Sequence, residues 1–131
     1  MNKTFTFLTL SFLLSSFLAT AQQEIKESGS KEITKDTWVN FQDHNNVTFL
    51  GQLGDCNGRE VLKLKVTNRN ATPYDIRVGY VNGGKRLATS MLTLQPMQTI
   101  ELSCTGIMGT TPVYLADGHS IRIESQVIKR N

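Results

Sequence analysis

From Val47 onward, apolar and polar side chains alternate with a period of two. Val47, Phe49, Gly51 and Leu53 alternate with Thr48, Leu50 and Gln52, and Leu62, Leu64 and Val66 alternate with Lys63, Lys65 and Thr67. Tyr74, Ile76, Val78 and Tyr80 share one face opposite Asp75 and Arg77. Ile100, Leu102 and Cys104 repeat the pattern, as do Ile121, Ile123, Ser125 and Val127. This period predicts strands with one buried and one wet face, and no segment carries a capped helical period. Turn signals separate the runs: Asn57-Gly58, the stretch from Asn68 to Pro73, Asn82-Gly83-Gly84, Gln95-Pro96 and Asp117-Gly118. Short strands at this spacing predict an all-β domain over 37–131, an antiparallel sandwich of about seven strands.

The N-terminal third reads differently. Lys3 is the only charge before Glu24, an apolar run extends from Phe5 to Leu18, and Ala19-Thr20-Ala21 supplies a small-x-small exit. That is the pattern of a cleavable secretory signal peptide over 1–21, cut between Ala21 and Gln22. The apolar stretch is shorter than the roughly 20 residues a membrane-spanning helix needs, so no stable membrane insertion is expected after cleavage. Residues 22–36 are polar, with Ser28-Gly29-Ser30 in their middle, and read as a flexible lead.

Charge narrows the range of functions. Of 14 Lys and Arg, cleavage removes Lys3 and no acid, leaving 13 against 11 Asp and Glu, a net +2. This balance gives no case for nucleic acid. Cys56 and Cys104 form an even pair, which in an exported chain favours a disulfide. Neither has a C-x-x-C partner or a histidine beside it in sequence to activate a thiol. A bridge closing a loop of this length contributes up to about 4 kcal/mol, against a total stability of about 5–15 kcal/mol for a small domain.

Two stretches carry a resemblance. "LKLKVTNRNATPYDIRVGYV" resembles the strand, polar turn and second strand of bacterial immunoglobulin-like modules, and "LTLQPMQTIELSC" resembles their later Leu-x-Pro turn. The motif Cys-x-Gly-x-x-Val-Leu-x-Leu-x-Val-x-Asn from Cys56 to Asn68, followed by Pro-x-x-x-Ile-x-x-x-Cys from Pro96 to Cys104, resembles small secreted proteins of Bacteroidetes-type bacteria. The resemblance covers roughly residues 54 to 104. It implies an immunoglobulin-like sandwich and an exported location, and brings no catalytic residues. The chain departs from the immunoglobulin pattern in that Cys56 falls at a turn and Trp38 precedes both cysteines.

Candidate chemistry is sparse. His44 and His119 could join a metal site, or His119 could serve Ser120 as a base, but neighbours along a strand point to opposite faces. Asp117 to Ser120 reads instead as a turn into the last strand. Lys63, Lys65, Arg77, Lys85, Arg86, Arg122, Lys129 and Arg130 suggest a basic face for acidic glycans, or an ordinary solvated sheet. Tyr74 and Tyr80 read as core residues with their phenol oxygens near the rim, and Tyr114 as a third aromatic. Ile107 and Met108, in the glycine-flanked loop 105–112, read first as a cap tucked onto the sandwich, and as the candidate partner contacts if exposed. The expected protein is a non-enzymatic periplasmic or extracellular module without a cofactor or metal, binding a protein or glycan of the cell envelope or supporting an envelope structure. The alternative is an inhibitor or chaperone-like protein acting through loop 105–112 or an open sheet edge.

Overall fold

The computed structural model describes residues 24–88, 91–104 and 112–131. Among these residues there are eleven strands: β1 (Ile25–Glu27), β2 (Lys31–Glu32), β3 (Val39–His44), β4 (Val47–Cys56), β5 (Arg59–Asn68), β6 (Tyr74–Asn82), β7 (Lys85–Ala88), β8 (Leu92–Leu94), β9 (Thr99–Leu102), β10 (Val113–Tyr114) and β11 (Ser120–Lys129). All pair antiparallel in two sheets. One runs β1-β11-β6-β7, with β2 on β11 and β8 on β6. The other runs β10-β5-β4-β3, with β9 on β5. The expectation of about seven strands fits only the seven with four or more residues. The other four have two or three residues, too few for a period of two to register.

Hairpin chemistry is local. Three turns place both central residues at positive φ: Asn45 and Asn46 (48° and 60°), Asn57 and Gly58 (54° and 81°), and Gly83 and Gly84 (56° and 76°). This is the signature of two-residue turns whose twist matches the flanking strands. They join β3 to β4, β4 to β5 and β6 to β7.

The core fills the space between the sheets. Phe49, Leu53, Leu62, Leu64 and Val66 face Ile76, Val78, Tyr80, Leu94, Ile121 and Ile123, all buried. Burying each large aliphatic or aromatic side chain contributes about 1.5–3 kcal/mol. Phe41 reaches this core because β3 carries a bulge between Asn40 and Gln42, which buries Phe41 and Gln42 in succession. Opposite it, a Cβ on Gly51 would collide with the Phe41 ring, so only glycine fits under the phenyl group.

The segment expected as a flexible lead is part of the sandwich. β1 pairs with Glu124–Gln126 of β11 and β2 with Ser120 and Ile121. Ser28 bridges the gap: its N–H donates to the Ile123 carbonyl and its hydroxyl accepts from the Ile123 N–H. Ile33 is 1% exposed in the core. The Ile33 N–H then donates to His119 O, and the Thr34 carbonyl accepts from Leu53 N, so the chain crosses from one sheet to the other here. The segment escapes sequence reading because backbone bonds and one apolar anchor hold it, while every β1 side chain is exposed.

A disulfide joins Cys56 to Cys104 with Cα atoms 5.4 Å apart. Cys56 closes β4 and is buried, where the sequence placed it in a turn. Cys104 lies two residues beyond β9. Both β4 and β9 flank β5, so the bridge works within one sheet and not between two.

Two buried asparagines tie the loops. Asn68, with no exposed surface, donates through Nδ2 to the carbonyls of Thr72, Leu94 and Gln95, and its Oδ1 accepts from the Asn70 backbone and side-chain amides. Asn82 donates to the carbonyls of Asp117, Gly118 and Ser120 and accepts from the N–H groups of Ala116 and Asp117. Replacing Asn68 with Asp removes the donor and turns a carboxylate toward three carbonyls. Each buried acceptor left unpaired costs about 1–3 kcal/mol. We expect Asn68→Asp to lower stability in urea titration by about 3 kcal/mol or more, while Asn70→Ala costs about 1 kcal/mol.

Candidate functional site

Two places bring a histidine together with possible catalytic partners. The first lies between the sheets, where the bulge in β3 turns Gln42 and His44 inward toward Ser125 on β11. Gln42 Nε2 donates to Ser125 Oγ at 2.6 Å, and His44 Nδ1 lies 2.9 Å from the same oxygen. The pair has the look of a base and a nucleophile, but Ser125 is 1% and His44 4% exposed, so no substrate reaches the hydroxyl. Among the described residues, His44 Nε2 and Gln42 Oε1 are buried without a hydrogen-bond partner. Burial holds the His44 pKa below its ordinary value, against the pull of Glu24; Lys26 pushes it down, and Ser125 pushes it up.

The second place is at the surface. His119 Nε2 lies 2.5 Å from Glu60 Oε2, on a bend that leads into β11 as the sequence predicts. Ser120, the neighbour considered as a nucleophile, contacts the Ser30 hydroxyl at 2.6 Å instead. His44 and His119 thus have separate partners. Among the described residues, no group of three or more His, Cys, Asp or Glu side chains is placed to hold a metal ion.

The basic residues do not form one patch. On the first sheet, Glu124 pairs with Arg86 at 2.7 Å and lies 3.8 Å from Arg122. Arg130 reaches Asp75 and Thr93 at the far end. On the second sheet, Lys63 and Lys65 point outward from β5 and meet Trp38. Their ammonium groups lie 5.3 Å and 4.1 Å from the centre of the indole ring. Lys63 also reaches Glu101 at 3.5 Å and Gln52 Oε1 at 3.4 Å.

Beside this cluster an open cleft of about 380 Å³ runs along the outer face, lined by Lys35, Gln52, Asp55, Lys63, Glu101 and Ser103 and ending at Cys104. Gly54 forms part of its wall. A Cβ there would stand 2.6 Å from Lys63 Cγ, so the missing side chain is what lets the lysine stem cross β4. Gln52 is steadied by donating to the Lys35 carbonyl at 2.7 Å.

Trp38 is the functional candidate that sequence reasoning passed over. It is the only tryptophan, and it sits half-buried just before the bulged strand, where no alternation marks it as outward-facing. A tryptophan between Thr37 and Val39 that faces lysines two strands away is a pairing that register alone reveals. The tyrosines fare differently. Tyr80 is core, but its hydroxyl is buried and not at the rim, with no partner among the described residues, and burial raises its pKa far above the ordinary phenol range. Tyr114 is covered by the Arg59 guanidinium, 3.7 Å above its ring. Ile107 and Met108, like the junction of Ala21 and Gln22, lie outside the described residues.

No family model, curated protein or solved structure matches the chain.

The buried histidine gives a directional expectation. The unfolded chain takes up a proton at His44 near pH 6.5, whereas the folded chain resists it to lower pH. Stability is therefore full above that value and declines as the pH falls below it. In urea titrations between pH 7.5 and 5, His44→Gln is expected to flatten the decline of the wild type. An equal slope in the two proteins would assign the loss to other groups.

Proposed function

We propose that the protein is an exported, non-enzymatic immunoglobulin-like module that holds a carbohydrate polymer of the cell envelope on the outer face of its second sheet. The observation that carries this reading is Trp38. An indole on a sheet face, next to an open polar cleft, offers a stacking surface for a sugar ring, with hydroxyl and amide groups around it to fix orientation. Neither histidine cluster offers an accessible nucleophile with an oriented base, which supports binding over hydrolysis.

The finer fold assignment rests on strand order. Reading β4, β5, β6, β7, β9 and β11 as strands A, B, C, C′, E and F gives the neighbours A-B-E in one sheet and C′-C-F in the other, as in immunoglobulin sandwiches. The position beside F, where strand G normally lies, is taken by β1 and β2 from the N-terminal side. Export is supported by the basic start, apolar run and small-residue exit of residues 1–21, and by the disulfide.

The inhibitor alternative has less support. Its loop lies outside the described residues, and β3, one of the sheet edges, is guarded: Lys26 and Lys31 donate to the carbonyls of Asp43 and Asn40 at 2.6 Å each.

The test is retention of the protein on a protease-treated polysaccharide fraction from the envelope of the producing cell. Trp38→Ala should bind at least tenfold more weakly than wild type while melting within a few degrees of it. Retention unchanged by Trp38→Ala would remove the outer-face reading.

A further inference from the structure

We infer that the cleft beside Trp38 selects an acidic sugar: a hydroxyl-rich ring carrying a carboxylate, as repeated in a uronic-acid polysaccharide. The inference rests on the outer-face reading above and adds the ligand's charge. Three features of the site point to it together.

The first is the charge left over at the ring. Glu101 compensates Lys63, but among the described residues no carboxylate lies within ion-pair distance of Lys65. Its ammonium is held 4.1 Å from the indole centre, a contact that contributes about 0.5–1 kcal/mol at an exposed site. A ligand carboxylate is a stronger partner for a lysine than a ring face, because the hydrogen bond is charge-assisted. A carboxylate that draws Lys65 aside also uncovers the ring. Anion capture and stacking are therefore one event at this site.

The second is the mixture of signs. Asp55 and Glu101 share the cleft with Lys35 and Lys63. Carboxylates accept from sugar hydroxyls, and lysines donate to a carboxylate or a ring oxygen. A ligand that carries anionic oxygens and no hydroxyls, such as polyphosphate, gives these carboxylates nothing to accept from and leaves their repulsion uncompensated, so it is a poor fit. A neutral sugar, for its part, leaves Lys65 over the ring it needs.

The third is shape. The cleft is open and lies along a sheet face, which suits a polymer passing over it and not a small molecule enclosed within it. The disulfide fixes its far end, where Ser103 and Cys104 contribute.

Trp38 reports directly on this site because the chain has no other tryptophan. Its emission is followed while the wild-type protein, purified as the producing cell exports it, is titrated with polygalacturonate, with its methyl ester and with inorganic polyphosphate, at low and at physiological salt. The expected result is a saturable change with polygalacturonate, weakening as salt rises, and at least tenfold weaker binding of the ester and of polyphosphate. Lys65→Gln should lose about tenfold toward the acid and little toward the ester, with an unchanged melting temperature as the control for folding.

Equal affinity for acid and ester would overturn the charge selection while leaving a sugar-binding face intact. Polyphosphate binding as tightly as polygalacturonate would overturn the sugar itself. If no probe binds while envelope polysaccharide is still retained through Trp38, the uronic-acid class is wrong and the outer-face reading stands. Loss of both would remove the two together.

Discussion

The sandwich is closed at its ends by two buried carboxamides, and much else follows from that constraint. Asn68 ends β5 and Asn82 ends β6, at opposite ends of the molecule because the chain crosses between the sheets from one to the other. Each makes five hydrogen bonds, three from its amide nitrogen and two to its oxygen. Sheets account for their own backbone groups, but the loops that link them do not. A loop buried against the end of a sandwich leaves carbonyls that water cannot reach. Asn68 serves the β5–β6 crossing and the turn after β8, and Asn82 serves the run from Ala116 to Ser120. A carboxamide supplies two N–H donors and a separate carbonyl acceptor on one short, uncharged side chain, where a hydroxyl has a single donor. Each asparagine therefore defines where its strand stops.

That role explains which parts of the fold are readable from sequence. β4, β5, β6 and β11 each run for nine or ten residues with one face in the core, so their alternation is long enough to see. Asn57-Gly58 and Gly83-Gly84 announce hairpins because few residues tolerate positive φ. The hidden parts break one of these conditions. β3 carries a bulge, so Phe41 and Gln42 are buried side by side and its period is lost. β1 and β2 contribute backbone bonds with exposed side chains, and the one core residue that follows them, Ile33, stands alone among charges. Asn45-Asn46 forms a hairpin turn without glycine, a weaker signal for the same geometry.

The candidate site was harder to read for a related reason. Lys63 and Lys65 are visible as an outward pair on β5, but what makes them more than a solvated face is Trp38, which lies on the far side of β4. Their meeting depends on the register of three strands and on the absence of a side chain at Gly54. The histidines illustrate the opposite case. Both acquire partners that the sequence could not show, yet burial closes one cluster and the other lacks a nucleophile. Proximity alone does not make chemistry; access and a third, orienting group decide it.

The disulfide links these two levels of organisation. Had it joined the sheets, its main effect would fall on the core, which the two apolar faces already hold. Instead it ties the end of β4 to the chain just after β9 leaves β5, a place where pairing has stopped and only a covalent bond can hold position. Cys56 is buried against the core, while Cys104 is exposed and lines the cleft. The bridge therefore transmits the rigidity of the core to the rim of the outer face. The sulfur bridge holds the cleft at Cys104, and Lys63, which lines the cleft, connects it to the half-buried indole of Trp38 beside it.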